Sequence, residues 1–452
     1  MMPITESDWN DARVAYPRRA NVHLDCPSGV SMAFRDLLGD ASVVDEPTSV
    51  LHGIFDKSVQ SGHDLLLFEN ITECPGHRVV VNLLTRARLC RAIGIEPEDY
   101  IDLLGWAMNN PATPEVVADA EVLECPQEVV DLTKFPIPHH WREDRGRYMS
   151  SSVIIAEYNG VRNMSFHRQF LRDSNHVVTR LVPRHLYNMT ADARSRGEEV
   201  KVAIVNAPDP VCLLAAAMSF DDHIDELTIA AALHERIYDK PLRLVTLPNG
   251  IQVPADAEYA MWGRITVEND DEGPYVDITG TVDDVRQEPV IEIDGATHRS
   301  NPVFHALIPA EAEHKTLMGL PRAPTIKEAV GKVVNCLDVH MTEGGGGWLA
   351  AVVKIKVEKE GDAKLAIEAA LAGHRSMKMV TIVDEDIHIT DPVRVEWAMM
   401  TRCQPDIDTV ILSDQKGSSL DPSRHHDGRT AKIGIDATIP LTHDRDGFLS
   451  VQ

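Results

Sequence analysis

The chain has 452 residues, 43% hydrophobic and 25% charged, which is the composition of a globular protein too long for one core; two or three domains are expected. Its 44 basic against 70 acidic residues give a net charge of −26, which argues against nucleic acid or an anionic membrane as partner, because phosphate binding needs basic surface. Seven dispersed cysteines without a CxxC pair, an N-terminus "MMPITESDWNDARVAYPRR" lacking an apolar signal core, and no run of eighteen apolar residues together predict a cytoplasmic protein with reduced thiols.

The first hundred residues alternate strand and helix signals. "DLLLFEN" (64–70) and "RVVVNLL" (78–84) read as strands, and "TRARLCRAIGI" (85–95) as a helix closed by its glycine. A proline-rich bridge, "NNPATPEVV" and then "TKFPIPHHW" (133–141), reads as a linker. From about 148 the texture changes: "MSSSVIIAEYNGVRNMSFHRQFLRD" has strand periodicity broken by Asn159-Gly160, a hairpin signal. A helix "PRHLYNMTADARSRGE", a strand "KVAIVNA", a helix "PVCLLAAAM" and strands in "LRLVTLP", "YAMWGRITV" and "YVDITGTV" follow. Beyond 320 the strand–helix alternation of an α/β domain resumes. The expected organisation is an N-terminal α/β domain (1–120), a central sheet domain with inserted helices (121–315) and a C-terminal α/β domain (316–452) serving oligomerisation.

"ENDDEGPYVDITG" (268–280) places Glu272 and Asp277 on either flank of a Gly-Pro step. Gly273 permits unusual backbone angles and Pro274 fixes its own, so a rigid turn between strands is expected, with an alternating run starting at Val276 and Asp277. Two carboxylates on such a turn can meet in a cleft; an acidic, solvated hairpin rim is the competing reading. Three other runs carry unusual polar residues. Asn163 and Arg168 lie in "NMSFHRQ", His185 follows Pro183 near a helix start, and Glu226 opens an apolar helical run. An amide, an imidazole and a carboxylate together suit Mn²⁺ or Mg²⁺, although singly they also read as a turn former, a helix-start residue and a first-turn acid. "EGGGGW" (343–348) lacks the Lys-Ser/Thr of a phosphate loop and reads as a flexible turn; "LHERIY" reads as a solvated helix face and "SRHHDG" (423–428) as a polar loop. No GxSxG elbow is present.

In order, "GHRVVVNLLTRARLCRAIGI", "NMSFHRQ", "RH", "PDPVCLLAAAMSF…DE", "VPADAEYAMWG", "EGPYVDITG", "THRSNPVFHALI", "KMVTIVDEDI", "WAMMTRCQP" and "RTAKIGIDAT" resemble the UbiD family of decarboxylases that depend on prenylated flavin mononucleotide. The resemblance spans most of the chain and implies that the middle domain is a flavin-reductase-like split β-barrel. It places the family's metal ligands on Asn163, His185 and Glu226, bridging to the flavin phosphate, with K⁺ as a further candidate ion. The catalytic glutamate–arginine–glutamate set falls on Arg168, Glu272 and Asp277, with aspartate in the last position and its carboxylate one methylene further back. Lys378 matches a lysine near the flavin phosphate; Ser165, Arg184 and Met218 match positions lining the cofactor.

The resemblance further implies a reversible, non-oxidative decarboxylation of an α,β-unsaturated or (hetero)aromatic acid through a covalent flavin–substrate adduct. Arg168 would hold the substrate carboxylate in its fork, and Asp277 would supply the proton that replaces carbon dioxide, with Glu272, His298 or water as alternative donors. A flavin prenyltransferase would supply the cofactor, and a homo-oligomer, dimer or hexamer, is expected. A plain-FMN oxidoreductase on the same barrel and a non-catalytic cofactor-binding protein are the alternatives.

Overall fold

Val153–Tyr158 and Val161–Phe166 pair antiparallel across Asn159-Gly160, whose φ values of 51° and 75° are those of a two-residue hairpin turn. The computed structural model that shows this describes residues 34–450 except 97–98, 128 and 219–223; the N-terminal segment, Cys26 and the "SF" after Met218 lie outside the described residues. The hairpin ends a nine-stranded antiparallel sheet whose centre is the pair Tyr259–Glu272 and Arg286–His298. Two register shifts bend this long pair, one of them at Trp262/Gly263. There a Cβ on Gly263 would lie 1.9 Å from the Glu292 carbonyl oxygen, so only glycine lets the strands approach. The sheet curls into a half-barrel, with Val153 and Ile155 facing one buried apolar cluster and Ile154 facing another.

Around this sheet the fold is α+β and multidomain. A four-stranded sheet holds Ser42–Val44, Leu66–Phe68 and Arg78–Val81, and takes its last strand, Val303–His305, from much later in the chain. Glu115–Val117 joins Arg243–Thr246 and Gln252–Pro254 in a three-stranded sheet. Beyond residue 320, five strands order as 335–341, 350–356, 379–383, 429–437 and 409–416, parallel in the centre and antiparallel at both edges. No helix of the described residues is long and apolar enough to cross a membrane.

Three local expectations need correction. "YVDITGTV" is not one strand: Tyr275–Val276 pairs with Val282–Asp283, and Asp277–Gly280 turns between them, because Gly280 takes φ +74° and its N–H donates to the Asp277 carbonyl. "EGGGGW" is a packed turn, since a Cβ on Gly347 would lie 2.4 Å from the Lys315 carbonyl oxygen. His234 of "LHERIY" is buried, its Nδ1 2.7 Å from the Lys240 carbonyl, while Glu235 and Arg236 keep the exposed face.

Candidate active site

Arg168, with His167, forms the two-residue link between strand Val161–Phe166 and strand Gln169–Leu171, where the backbone leaves the sheet before pairing again. Glu272 is the last residue of the long central strand. Their side chains meet: Arg168 Nε and Nη2 donate to Glu272 Oε1 and Oε2, both at 2.8 Å, the two-pronged geometry of a strong arginine–carboxylate pair. Nη1 donates to Asp277 Oδ2 at 2.6 Å. A further acid, Asp283, takes Nη2 at 2.9 Å. The guanidinium also lies over the Tyr275 ring, 4.4 Å from its centroid. Glu272 is fully buried, so its charge depends on this arginine. Burial works against the charge of Arg168, but Glu272 and Asp277 outweigh it and raise its pKa.

The acid-bearing turn is held from behind by residues 141–148, which follow on the proline-rich bridge that the sequence reads as a linker. Tyr148 Oη accepts the Gly273 N–H at 3.1 Å, and the Arg145 N–H donates to the Pro274 carbonyl at 2.8 Å. Asp144 accepts the Val276 and Trp141 N–H groups at 2.8 and 3.2 Å. Burial pushes the Asp144 carboxyl up to about 7, against those two hydrogen bonds and the nearby Arg168. Gly273 sits at φ +91°, where a Cβ would lie 2.9 Å from the Asp284 carbonyl oxygen, so the turn tolerates no side chain there.

Asn163 and Ser165 share one face of their strand. His185 is the first residue of helix His185–Ser195, with the exposed Arg184 in the preceding cap position. Glu226 opens helix Glu226–Tyr238, whose cap, Asp225, accepts the Leu227 N–H and is held by Arg162 Nε at 2.9 Å. These three elements bring Asn163, His185 and Glu226 together. Asn163 Nδ2 lies 2.9 Å from Glu226 Oε1 and 3.4 Å from His185 Nδ1, which is itself 3.7 Å from Glu226 Oε1. Glu226 Oε2 accepts the Met164 N–H at 2.8 Å.

The donor chemistry fits a divalent cation. His167 Nδ1 faces the Arg180 carbonyl at 3.0 Å, so Nδ1 carries the proton; burial holds the imidazole near a pKa of about 4 and therefore neutral. Ser165 Oγ donates to Asn163 Oδ1 at 2.9 Å; His167 Nε2, 3.0 Å away, offers the hydroxyl proton a second acceptor, so Ser165 can accept from the Asn163 NH₂ when that amide is turned over. Turning that amide over, an exchange of two atoms of nearly equal size, presents its oxygen to Glu226 and His185. An amide oxygen, a carboxylate oxygen and an imidazole nitrogen so placed repel one another unless a cation stands among them. No group of three or more His, Cys, Asp or Glu side chains able to hold a metal occurs among the described residues.

The other expected residues spread around these clusters. Met218 caps the buried helix Pro210–Ala217 and is itself buried. Lys378, at the start of strand Met379–Val383, pairs with Asp421 at 2.9 Å and with Ser423; no hydrogen bond or ion pair links it to the Asn163 cluster among the described residues. His298 contacts Gln127, and packs with His77, Phe135 and Tyr259 rather than with the acids. Sequence reasoning missed Asp144, Asp283, His167 and His314. His314 accepts the Ala310 N–H at 3.1 Å and lies within electrostatic reach of Asp277 and Arg168; burial is the larger influence and lowers its pKa. No local pattern in "AEAEHKTL" marks it.

A family model described as the 3-octaprenyl-4-hydroxybenzoate carboxy-lyase Rift-related domain (UbiD) matches residues 115–312, and the corresponding C-terminal domain model matches residues 315–437. The chain is 40% identical over 418 residues to anhydromevalonate phosphate decarboxylase of Methanosarcina mazei, covering 91% of this chain and 97% of the relative. The UbiD-class enzyme HmfF from Pelotomaculum thermopropionicum, in complex with FMN, superposes with a TM-score of 0.88 at 34% identity, over 93% of this chain and 97% of that one. An evolved dimeric form of HmfF in complex with prFMN gives 0.84 at 33% identity over the same shares.

Proposed function

The chain belongs to the UbiD family of carboxy-lyases and is a flavin-dependent decarboxylase, and from that premise we propose that it uses prenylated FMN to remove carbon dioxide from anhydromevalonate phosphate. The observation that carries the substrate is the 40% identity to a decarboxylase of that name along almost the whole of both chains. Loss of water from the 3-hydroxy acid mevalonate gives an acyclic α,β-unsaturated acid, one of the substrate classes that the sequence resemblance implies.

Asn163, His185 and Glu226 would hold Mn²⁺ or Mg²⁺ beside the flavin phosphate, offsetting phosphate and carboxylate charge; Ser165, Arg184, Met218 and Lys378 would line the cofactor. Prenylated FMN, when bound, supplies an electrophilic carbon that takes up the electron pair left as carbon dioxide departs. The protein's own part is orientation and proton transfer. Arg168 holds the substrate carboxylate and keeps Glu272 and Asp277 on opposite sides of one guanidinium. Asp277, on the other side of the guanidinium with an 18% exposed side chain, delivers the proton to the carbon that lost carbon dioxide. Glu272, buried behind Arg168, fixes the fork.

A flavin prenyltransferase supplies the cofactor. Exposed Val393, Met400, Ile407 and Ile411 on the C-terminal domain support a homo-oligomer formed through that domain. The substrate assignment is tested by co-producing the protein with a flavin prenyltransferase and comparing kcat/KM for anhydromevalonate phosphate, its dephosphorylated acid and 2-furoate. The phosphorylated acid should lead by roughly 10²-fold or more, since a site built around a charged group rejects analogues lacking it. A preference for 2-furoate would overturn the assignment.

A further inference from the structure

Arg168 carries more carboxylates than its charge balances. Four of its five N–H groups are taken: two by Glu272, one by Asp277 and one by Asp283. One N–H on Nη1 remains, and a carboxylate gripped in a fork needs two. Releasing Glu272 would strand a fully buried charge, and Asp277 has no other ion-pair partner among the described residues. Asp283 differs. Its Oδ2 lies 2.9 Å from Arg168 Nη2 and 2.7 Å from Arg286 Nη1, and its Oδ1 accepts the Asp284 N–H at 3.0 Å. Backbone pairing sets both residues: Asp283 stands opposite Tyr275, and Arg286 opposite Glu272. Asp283 can therefore leave Arg168 without losing its ion pair.

We propose that Asp283 is a displaceable ligand of Arg168: the substrate carboxylate takes its place on Nη2 while Arg286 retains it, so Asp283 and Arg286 set the affinity for the acid. The inference rests on Arg168 being the carboxylate site. Burial favours the protonated form of Asp283, but Arg286 and Arg168 outweigh it and hold the carboxyl below the usual aspartate range. The exchange is thus between two ion pairs and releases no proton. It makes the resting acid a built-in competitor, which a ligand without a carboxylate does not have to displace.

The test uses FMN-loaded protein and calorimetric binding of two probes: the saturated acid 3-methyl-5-phosphooxypentanoate, and 3-methylpentyl phosphate, which lacks the carboxylate. Asp283→Asn should bind the acid tighter by roughly 5- to 30-fold, within the usual range of coupling between sites, and leave the carboxylate-free probe unchanged. Arg286→Gln, which removes the fallback partner, should weaken binding of the acid alone, and the double variant should behave like Asp283→Asn. Weaker acid binding by Asp283→Asn, or an Arg286→Gln effect that persists unchanged in the double variant, overturns the displacement. If parent and every variant bind both probes equally, the Arg168 reading itself is refuted and the displacement with it.

Discussion

Replacing Arg168 by lysine keeps one positive charge and removes the planar fork. In the parent, four N–H contacts of 2.6–2.9 Å reach three carboxylates. A single ammonium on an unbranched stem cannot span Glu272 on one side and Asp277 on the other, so at least two charge-assisted contacts are lost. At about 1.5–3 kcal/mol each, with part regained by the new ammonium, the net loss is about 3–4 kcal/mol. That corresponds to a fall in kcat/KM of roughly 150- to 900-fold. The assay is carbon dioxide release from anhydromevalonate phosphate, normalised to bound prenylated flavin measured by absorbance and mass spectrometry. A variant within fivefold of the parent at equal cofactor loading would refute the reasoning, because a point charge would then suffice.

Asp277→Asn keeps size and hydrogen bonding but cannot deliver a proton; kcat should fall by roughly 10²–10⁴-fold while substrate affinity holds, measured by turnover and by titration of the flavin spectrum. Parent-like turnover would make Asp277 a bystander. Glu226→Gln should lose bound divalent metal and flavin together by about tenfold or more after chelation and desalting, read by metal analysis and flavin absorbance, since each helps retain the other. Full flavin content would contradict the bridging role. Asp144, raised to about 7 in the fold, binds its proton more tightly folded than unfolded, so its contribution is present below the ordinary aspartate pKa and lost as pH rises through 7. The parent should therefore lose stability between pH 4 and 8, by at most about 4 kcal/mol from this group, and Asp144→Asn should flatten that slope in urea denaturation.

The parts of the fold visible in the sequence are those fixed by local rules. Asn159-Gly160 supplies the positive φ angles that a two-residue hairpin demands, and the short, β-branched apolar run in "KVAIVNA" yields strand Val200–Asn206, buried at all but Lys201. Arg168, Glu272 and Asp277 were named through resemblance to a family, and the structure puts them in direct contact. Residues brought in by tertiary pairing were not legible. Asp283 enters because the strand expected through 275–282 stops at Val276 and returns, which brings another acid onto Arg168. Asp144 lies in "WREDRGRY", where no apolar periodicity marks a buried residue, yet it is buried and accepts the Val276 N–H from 132 residues later in the chain. His234 was expected at the surface because "LHERIY" is polar, whereas packing buries one of its faces.

The most direct test of the central claim compares the same purified protein loaded with prenylated FMN and with plain FMN, measuring carbon dioxide released from anhydromevalonate phosphate in D₂O. The account predicts one carbon dioxide and one deuterium on the vacated carbon per turnover with prenylated FMN, and none above background with FMN. Equal release with plain FMN, or oxidation of the substrate with its carboxylate retained, would contradict it.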